Sequence, residues 1–297
     1  MAPLVVSYFM KRGFMFSFPE FLEFDVAKLF DAIFGWIIQN LEFLFDAISD
    51  FVKLLFNSTE DIMSFIPWFV YVGLVFYLAF KLYNLKTAFV LSSMMLLIGV
   101  FGLWDEMIYT LVIVLISVLV SVLIGLPMGI LMAKSKRVES ILKPILDGMQ
   151  TMPSFVYLIP AVMLFGLGNV PAVFATTIYA VPPLIRLTYL GIRTVNKEVI
   201  EAGLSFGSTP RQMLFKIEIP QSLPTIMTGV NQTTMMAMAM VVISSMIGAK
   251  GIGNEVLVAI NSLKIGDGIQ AGLAIVFLAI VLDRLLQGFV GSLERKA

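Results

Sequence analysis

Long apolar runs separated by short charged clusters dominate the chain from residue 64 onward. A helix needs about 20 mainly apolar residues to cross a bilayer. Candidate runs lie at 64–83, 86–104, 107–133, 154–168, 170–192, 222–248 and 267–290, which predicts about seven transmembrane helices. Gly166, Gly168, Asn169 and Pro171 divide the stretch 154–192. Each half is short or marginal, so two full spans and a re-entrant hairpin both fit. Residues 25–56 follow another pattern. Lys28, Asp31, Gly35, Gln39, Glu42, Asp46, Asp50 and Lys53 recur at steps of three or four, with Phe30, Trp36, Phe43, Leu44 and Phe51 among the apolar residues between them. A narrow polar stripe on an apolar cylinder predicts an amphipathic helix lying in the membrane interface. A helix packed on the bundle is the plainer alternative. Asn57-Ser58-Thr59-Glu60-Asp61 reads as the turn into the first span. The expected organisation is an N-terminal extracytoplasmic segment, 1–63, followed by a transmembrane domain, 64–297.

Composition agrees with that pattern. Hydrophobic residues make up 59% and charged residues 13%, with a mean hydropathy of +0.95. Soluble domains run about 45–50% apolar and roughly 25% charged, so the expected class is an all-α polytopic membrane protein. Twenty basic residues balance 20 acidic ones, which gives no sign of a nucleic-acid partner. Cysteine and histidine are both absent. Disulfides, thiolate and imidazole chemistry and the commonest metal ligand are thereby excluded, and no cofactor is expected in this chain. Lys11 and Arg12 are not followed by an apolar run with a small-residue cleavage site, so no cleaved signal peptide is expected. Basic clusters lie at Lys81 and Lys86, at Lys134, Lys136, Arg137 and Lys143, at Arg193, Lys197, Arg211 and Lys216, and at Arg295 and Lys296. Placing them inside puts the N-terminus outside and the C-terminus in the cytoplasm.

The loop at 193–222 carries the most specific signal. Small residues at Ala202, Gly203 and Gly207 let a helix approach a partner closely, and Glu201 near its start suits the positive end of the helix dipole. Ser208 or Thr209 is a candidate cap for a second short helix with Pro210 at its first position. Pro220 and Pro224 are expected to end that helix before the next span. The stretch Glu201-Ala202-Gly203-Leu204-Ser205-Phe206-Gly207, followed nine residues later by Ile217-Glu218-Ile219-Pro220, resembles the EAA loop of ABC-importer permeases. Gly203 stands where that pattern usually has alanine, and Ile219 where leucine is usual.

The resemblance extends to Met149–Pro160, Ala180–Arg186, Gly229–Gln232 with Met240–Ile243, and Gly248–Gly253, which are similar to permeases of the glycine betaine/proline betaine/carnitine importers. It implies a type I importer in a bacterial cell membrane. Its partners would be two cytoplasmic ATP-binding subunits holding ATP and magnesium, a second copy of this permease, an extracytoplasmic substrate-binding protein and the bilayer. Glu201, Ala202, Gly203, Gly207, Ile217 and Pro220 would form the ATPase-coupling loop.

The chain's own residues agree that the engine lies elsewhere. The glycine-rich stretch Gly248-Ala249-Lys250-Gly251-Ile252-Gly253 lacks the Gly-Lys-Ser/Thr that a phosphate-binding loop requires, and reads as a flexible external turn. The span 222–248 carries Asn231, Gln232 and Thr234 with Met235 and Met238. Polar residues inside a span face an interior or a cavity, and methionine adapts to a passing ligand, so these five are candidates for the translocation pathway. Helix packing explains the same residues equally well. Tyr157, Phe165 and Tyr179 are aromatic faces available to a quaternary ammonium. Arg186 is expected to snorkel to the headgroups, and the adjacent Asp283 and Arg284 to take part in a local or interhelical ion pair. An ion-coupled secondary transporter is the rival class, but spans 107–133 and 222–248 hold no ionisable interior residue. Within the importers, a permease for choline or an amino acid is the alternative.

Overall fold

The computed structural model describes residues 25–294. Lys11 and Arg12, and the Arg295–Lys296 cluster, lie outside the described residues. Among those described the chain is helical, with no strand. Contacts divide it into two units, 1–47 and 48–297. The described part of the first unit is the leading half of α1 (Val26–Phe65), where Phe30, Trp36 and Phe43 are exposed alongside Lys28, Asp31 and Glu42. Apolar and charged side chains thus share its surface, as the amphipathic pattern requires.

The second unit begins within the same helix. Residues 57–61, expected as a turn, continue the helix to Phe65. Local turn chemistry loses here to packing: Phe56 is only 3% exposed and joins a core with Met95, Ile98 and Met107. The break comes later, at Pro67. The α2 (Trp68–Leu82) and α3 (Leu85–Val100) helices follow, the second capped by the Asn84 side chain, which accepts from the Thr87 amide at 2.9 Å. Val75, Ala79, Ala88 and Leu91 of this hairpin pack on Val281 of α12 (Ile265–Glu294).

Between them the chain forms α4 (Trp104–Lys134), α5 (Lys136–Thr151), a 3₁₀ turn at Ser154–Tyr157, α6 (Leu158–Phe165), α7 (Asn169–Arg193), α8 (Lys197–Ser205), α9 (Pro210–Met213), a π-turn at Leu214–Glu218, α10 (Ile219–Ser244) and α11 (Ile252–Asn261). Among the described residues, four stretches are long and apolar enough to cross a membrane alone: α4, α7, Pro210–Ile247 and Ile265–Ser292. The number becomes six if α1–α2 and α5–α6 each count as one bent span. The expected run at 154–168 resolves into a four-residue 3₁₀ turn and the eight-residue α6, too short to cross unaided.

At the centre, α7 packs along both α4 and α10. Glycines make this approach possible. A Cβ at Gly129 would lie 2.5 Å from Thr188 Cβ and 2.8 Å from the Ile185 carbonyl oxygen. Ser117 and Ser121 of α4 donate to the Val173 and Thr177 carbonyls of α7 at 3.3 and 3.4 Å. Small residues and interhelical hydroxyl bonds are what hold helices together where burial from water supplies no drive. At one end of these spans the Gly248–Gly253 stretch is clamped rather than loose. The Gly251 amide donates to Glu106 Oε2 at 3.0 Å, the Ile252 amide to Thr110 Oγ1 at 2.9 Å and the Lys250 amide to Asn169 Oδ1 at 3.0 Å.

Candidate functional site

At the other end of α7 the chain builds the segment singled out by its spacing. Asn196 caps α8 by accepting from the Glu198 amide at 2.9 Å. The helix therefore starts four residues before Glu201, and Glu198 rather than Glu201 occupies the first turn, where the dipole favours an acid. Glu201 and Ala202 are exposed one turn further in.

Gly207 has φ +77°. Its amide donates to the Leu204 carbonyl at 2.9 Å, and the Ser208 amide reaches the Gly203 carbonyl at 3.1 Å. This pair of bonds is a Schellman closure, which needs a left-handed residue at the turn and so selects glycine. Thr209 then starts α9 through a reciprocal capping box: the Gln212 amide donates to Thr209 Oγ1 at 3.3 Å, and Gln212 Oε1 accepts from the Thr209 amide at 2.9 Å. Pro210 stands at the first position, where its missing donor is harmless.

Pro220 does not end the helix. It cannot donate to the carbonyl one turn back and its ring crowds that carbonyl. The chain instead widens into the Leu214–Glu218 π-turn, with the Ile219 amide bonded to the Leu214 carbonyl, and continues as α10. Ile217 and Met213 close over Gly203: a Cβ there would lie 2.7 Å from Ile217 Cδ1 and 2.9 Å from Met213 Cε. The two halves of the motif, distant in sequence, are thus in contact. Beside exposed Glu201, Arg211 and Lys216, the segment leaves large apolar side chains bare, with Phe206 91% exposed, Phe215 65% and Leu204 59%. One charge in it is hidden. Glu218 is buried and paired with Lys134 at the end of α4.

The five candidates on α10 do not share a face. Gln232 is exposed and Met235 half-buried, on a stripe that continues through Thr228, Ala239 and Met246. Met238 is buried in the main core and Thr234 is buried, its hydroxyl donating to the Val230 carbonyl at 2.9 Å. Asn231 turns toward α12, where Nδ2 donates to Asp283 Oδ1 at 2.9 Å. Asp283 also accepts from Gln287 Nε2 at 2.8 Å. Among the described residues it forms no ion pair with Arg284, so amide bonds replace the expected pairing. Tyr157 is buried, donates to the Met149 carbonyl and stacks edge-on against Tyr179 at 5.8 Å. Phe165 likewise meets Phe174, at 4.8 Å. Arg186, expected to snorkel, instead pairs with Asp147 of α5.

That helix was invisible in the hydropathy pattern, because Lys136, Arg137, Glu139, Lys143 and Asp147 make it read as a polar loop. Its apolar positions Val138, Leu142, Leu146 and Met149 nevertheless recur at steps of three or four and pack on Val181 and Ile185 of α7. Tyr189 adds a bond to Glu139 at 2.6 Å. The same periodicity test applied to this stretch finds it.

Residues 125–297 match the family model for the binding-protein-dependent transport system inner membrane component. The glycine betaine/carnitine transport permease protein GbuB of Listeria monocytogenes is 43% identical over 277 residues, covering 91% of this chain and 97% of that protein. The glycine betaine/proline betaine transport system permease protein ProW of Escherichia coli is 44% identical over 252 residues, covering 85% of this chain and 71% of that protein. Among solved structures, the MetNI methionine ABC transporter in an inward-facing conformation aligns with a TM-score of 0.58 at 20% identity, over 62% of this chain and 93% of that one; it shares the fold. Helical spans, a motif folded into a compact segment with exposed apolar side chains and these likenesses agree: the chain belongs to the binding-protein-dependent transport system inner membrane component family, the membrane-embedded permease components of ABC importers.

Proposed function

We propose that this permease carries glycine betaine or a related quaternary-ammonium osmoprotectant, such as proline betaine or carnitine, into the cell. ATP hydrolysis in a separate chain would drive it. The observation behind the coupling role is the bare ridge of Leu204, Phe206 and Phe215 on a segment braced from within by a Schellman closure, a capping box and the Ile217–Gly203 contact. A monomer gains nothing by exposing a phenylalanine almost completely beside a charged surface; a groove in a partner would cover it. The substrate class rests on the relatives, whose names specify betaines and carnitine and whose similarity runs over most of this chain.

In this reading 193–222 faces the cytoplasm and docks an ATP-binding subunit, which holds ATP and magnesium. Two such subunits serve two copies of the permease, and a binding protein delivers solute on the far side. The N-terminus is external, and the amphipathic segment before residue 64 lies in that interface. The pathway follows the open stripe of α10, with Gln232 and Met235 meeting the solute. Asn231, Thr234, Met238 and Tyr157 hold that wall from behind. The quaternary ammonium of such a zwitterion has no N–H donors and asks for soft, adaptable surfaces such as methionine. Its carboxylate accepts hydrogen bonds of the kind the Gln232 amide can donate.

The test is uptake of labelled glycine betaine by liposomes containing the complete complex, with binding protein outside and ATP inside. Uptake requiring both is the expected result. Uptake driven by an ion gradient without ATP would overturn the importer mechanism. ATPase stimulation by a choline- or amino-acid-binding protein, with no betaine uptake, would overturn the substrate class alone.

A further inference from the structure

We propose that the Lys134–Glu218 ion pair is the strut through which the coupling segment moves the transmembrane core, so that it sets how tightly ATP hydrolysis is tied to solute movement. The inference rests on the coupling role argued above and assigns it a specific path through the fold.

Glu218 is 5% exposed. A carboxylate that far from water needs a partner, and the Lys134 ammonium is the one it has among the described residues. Position gives the pair its meaning. Glu218 closes the π-turn, a rare widening of the helix that recurs at functional sites and leaves the ladder locally irregular. Its neighbour Ile217 lies over Gly203 of α8, while Glu218 itself reaches α4. Adjacent residues therefore touch the coupling helix on one side and the core on the other. Lys134 is the last residue of α4, and little more than one turn above it Gly129 lies against Thr188 and the Ile185 carbonyl of α7. A pull on Lys134 is handed to two helices in backbone contact, which move together or not at all.

Without this pair the irregular turn would absorb the displacement of α8 and pass little of it on. Stability alone does not account for an ion pair here. It borders a cavity of about 450 Å³ lined by Ala133, Ile192, Val195 and Ile200 together with Arg193 and Lys197. The Lys134 side chain is 43% exposed and only Glu218 is buried. Water therefore screens the attraction while the carboxylate still bears the desolvation cost, and apolar side chains of similar size would fill the position at no greater cost. What apolar side chains cannot supply is a directional link across that turn.

The experiment compares ATP hydrolysed per solute imported in proteoliposomes holding the whole complex. The unmodified permease is set beside the apolar double variant Lys134→Met/Glu218→Leu and the swap Lys134→Glu/Glu218→Lys. Thermal stability is followed alongside. The double variant is expected to assemble and to raise the ratio about tenfold, within the range by which coupling residues act. The swap is expected to return it to within about twofold of the original. A stable double variant with an unchanged ratio overturns the strut. If the double variant fails to assemble, the swap decides: a ratio that stays high in an intact swap complex overturns the proposal, and a restored ratio supports it. The unmodified complex keeps the two readings apart. Its failure to import with ATP would remove the coupling role and the strut together, whereas a transporting complex with unresponsive variants removes only the strut.

Discussion

Gly207 offers a sharp test of the coupling segment, because its substitution acts through the backbone alone. Its φ of +77° is left-handed, and an added Cβ would meet no heavy atom within 4 Å. Steric conflict with neighbours therefore contributes nothing, and the cost is the strain of an L-residue in that conformation, about 1–2 kcal/mol. Alanine recovers part of this by restricting the unfolded chain, by about 0.4–1 kcal/mol. The net of about 1 kcal/mol corresponds to roughly a fivefold loss of the closed turn. Valine, with a branched Cβ, falls at or beyond the upper limit and should lose more than about tenfold. Asparagine tolerates the left-handed region and should stay within about twofold of glycine. Opening the turn frees the Gly203 and Leu204 carbonyls and misdirects the Thr209 cap, so the bare ridge loses its shape. The assay is capture of the purified ATP-binding subunit by the immobilised permease in detergent, read as an apparent Kd for Gly207→Asn, Gly207→Ala and Gly207→Val. The expected order of affinity is Gly, Asn, Ala, Val. Asparagine as damaging as valine, or alanine and valine both neutral, would refute the reasoning.

Three other outcomes follow from the same geometry. Gly203→Ala should leave transport close to that of the original chain, since the atoms in its way are the movable ends of Ile217 and Met213; Gly203→Leu should abolish capture of the ATPase, and equal effects of the two in uptake assays would contradict this. Gly129→Ala meets the Ile185 backbone, so overpacking of about 1–3 kcal/mol should outweigh the roughly 1 kcal/mol gained in helix propensity and lower the Tm by several degrees; an unchanged melting curve would show that α4 and α7 are not in close contact. Glu201→Arg reverses an exposed charge on α8 and should suppress uptake while the permease keeps its elution volume and Tm; normal uptake would remove Glu201 from the proposed coupling role.

What was legible in the sequence was local or strongly periodic. The spans at 107–133 and 170–192 emerged almost intact as α4 and α7, even across Pro182-Pro183, because apolar composition survives a proline where neighbouring helices cover the freed carbonyls. The local fold of the segment 193–222 was legible because glycine, threonine and proline each impose a backbone state on their own position. Contacts from outside the segment were not. Nothing near Asn57 announces that Phe56 will be buried, and nothing near Arg186 announces Asp147. The five polar and methionine candidates on α10 show the same limit. Asn231 and Gln232 are adjacent and chemically alike, yet successive helix positions differ by about 100°, so one faces α12 and the other lies open. Pro220 does not end its helix because a widened turn is a third option beside breaking or kinking.

The α2–α3 hairpin has a consequence for the surrounding lipid. Helices of 15 and 16 residues rise about 22 and 24 Å, against about 30 Å for a typical hydrocarbon core. Where both cross the membrane, as the apolar runs 64–83 and 86–104 predict, the flank they form is thinner than an average bilayer. The annulus of lipid there must compress, or Lys81 and Lys86 beside the connecting turn must extend toward a more distant headgroup layer. Short-chain lipids would match this flank, while long-chain lipids would load it with mismatch strain. Since the hairpin packs on α12, and α12 lies against α10, acyl-chain length would bear on α10 through α12, the neighbour that the hairpin and α10 share.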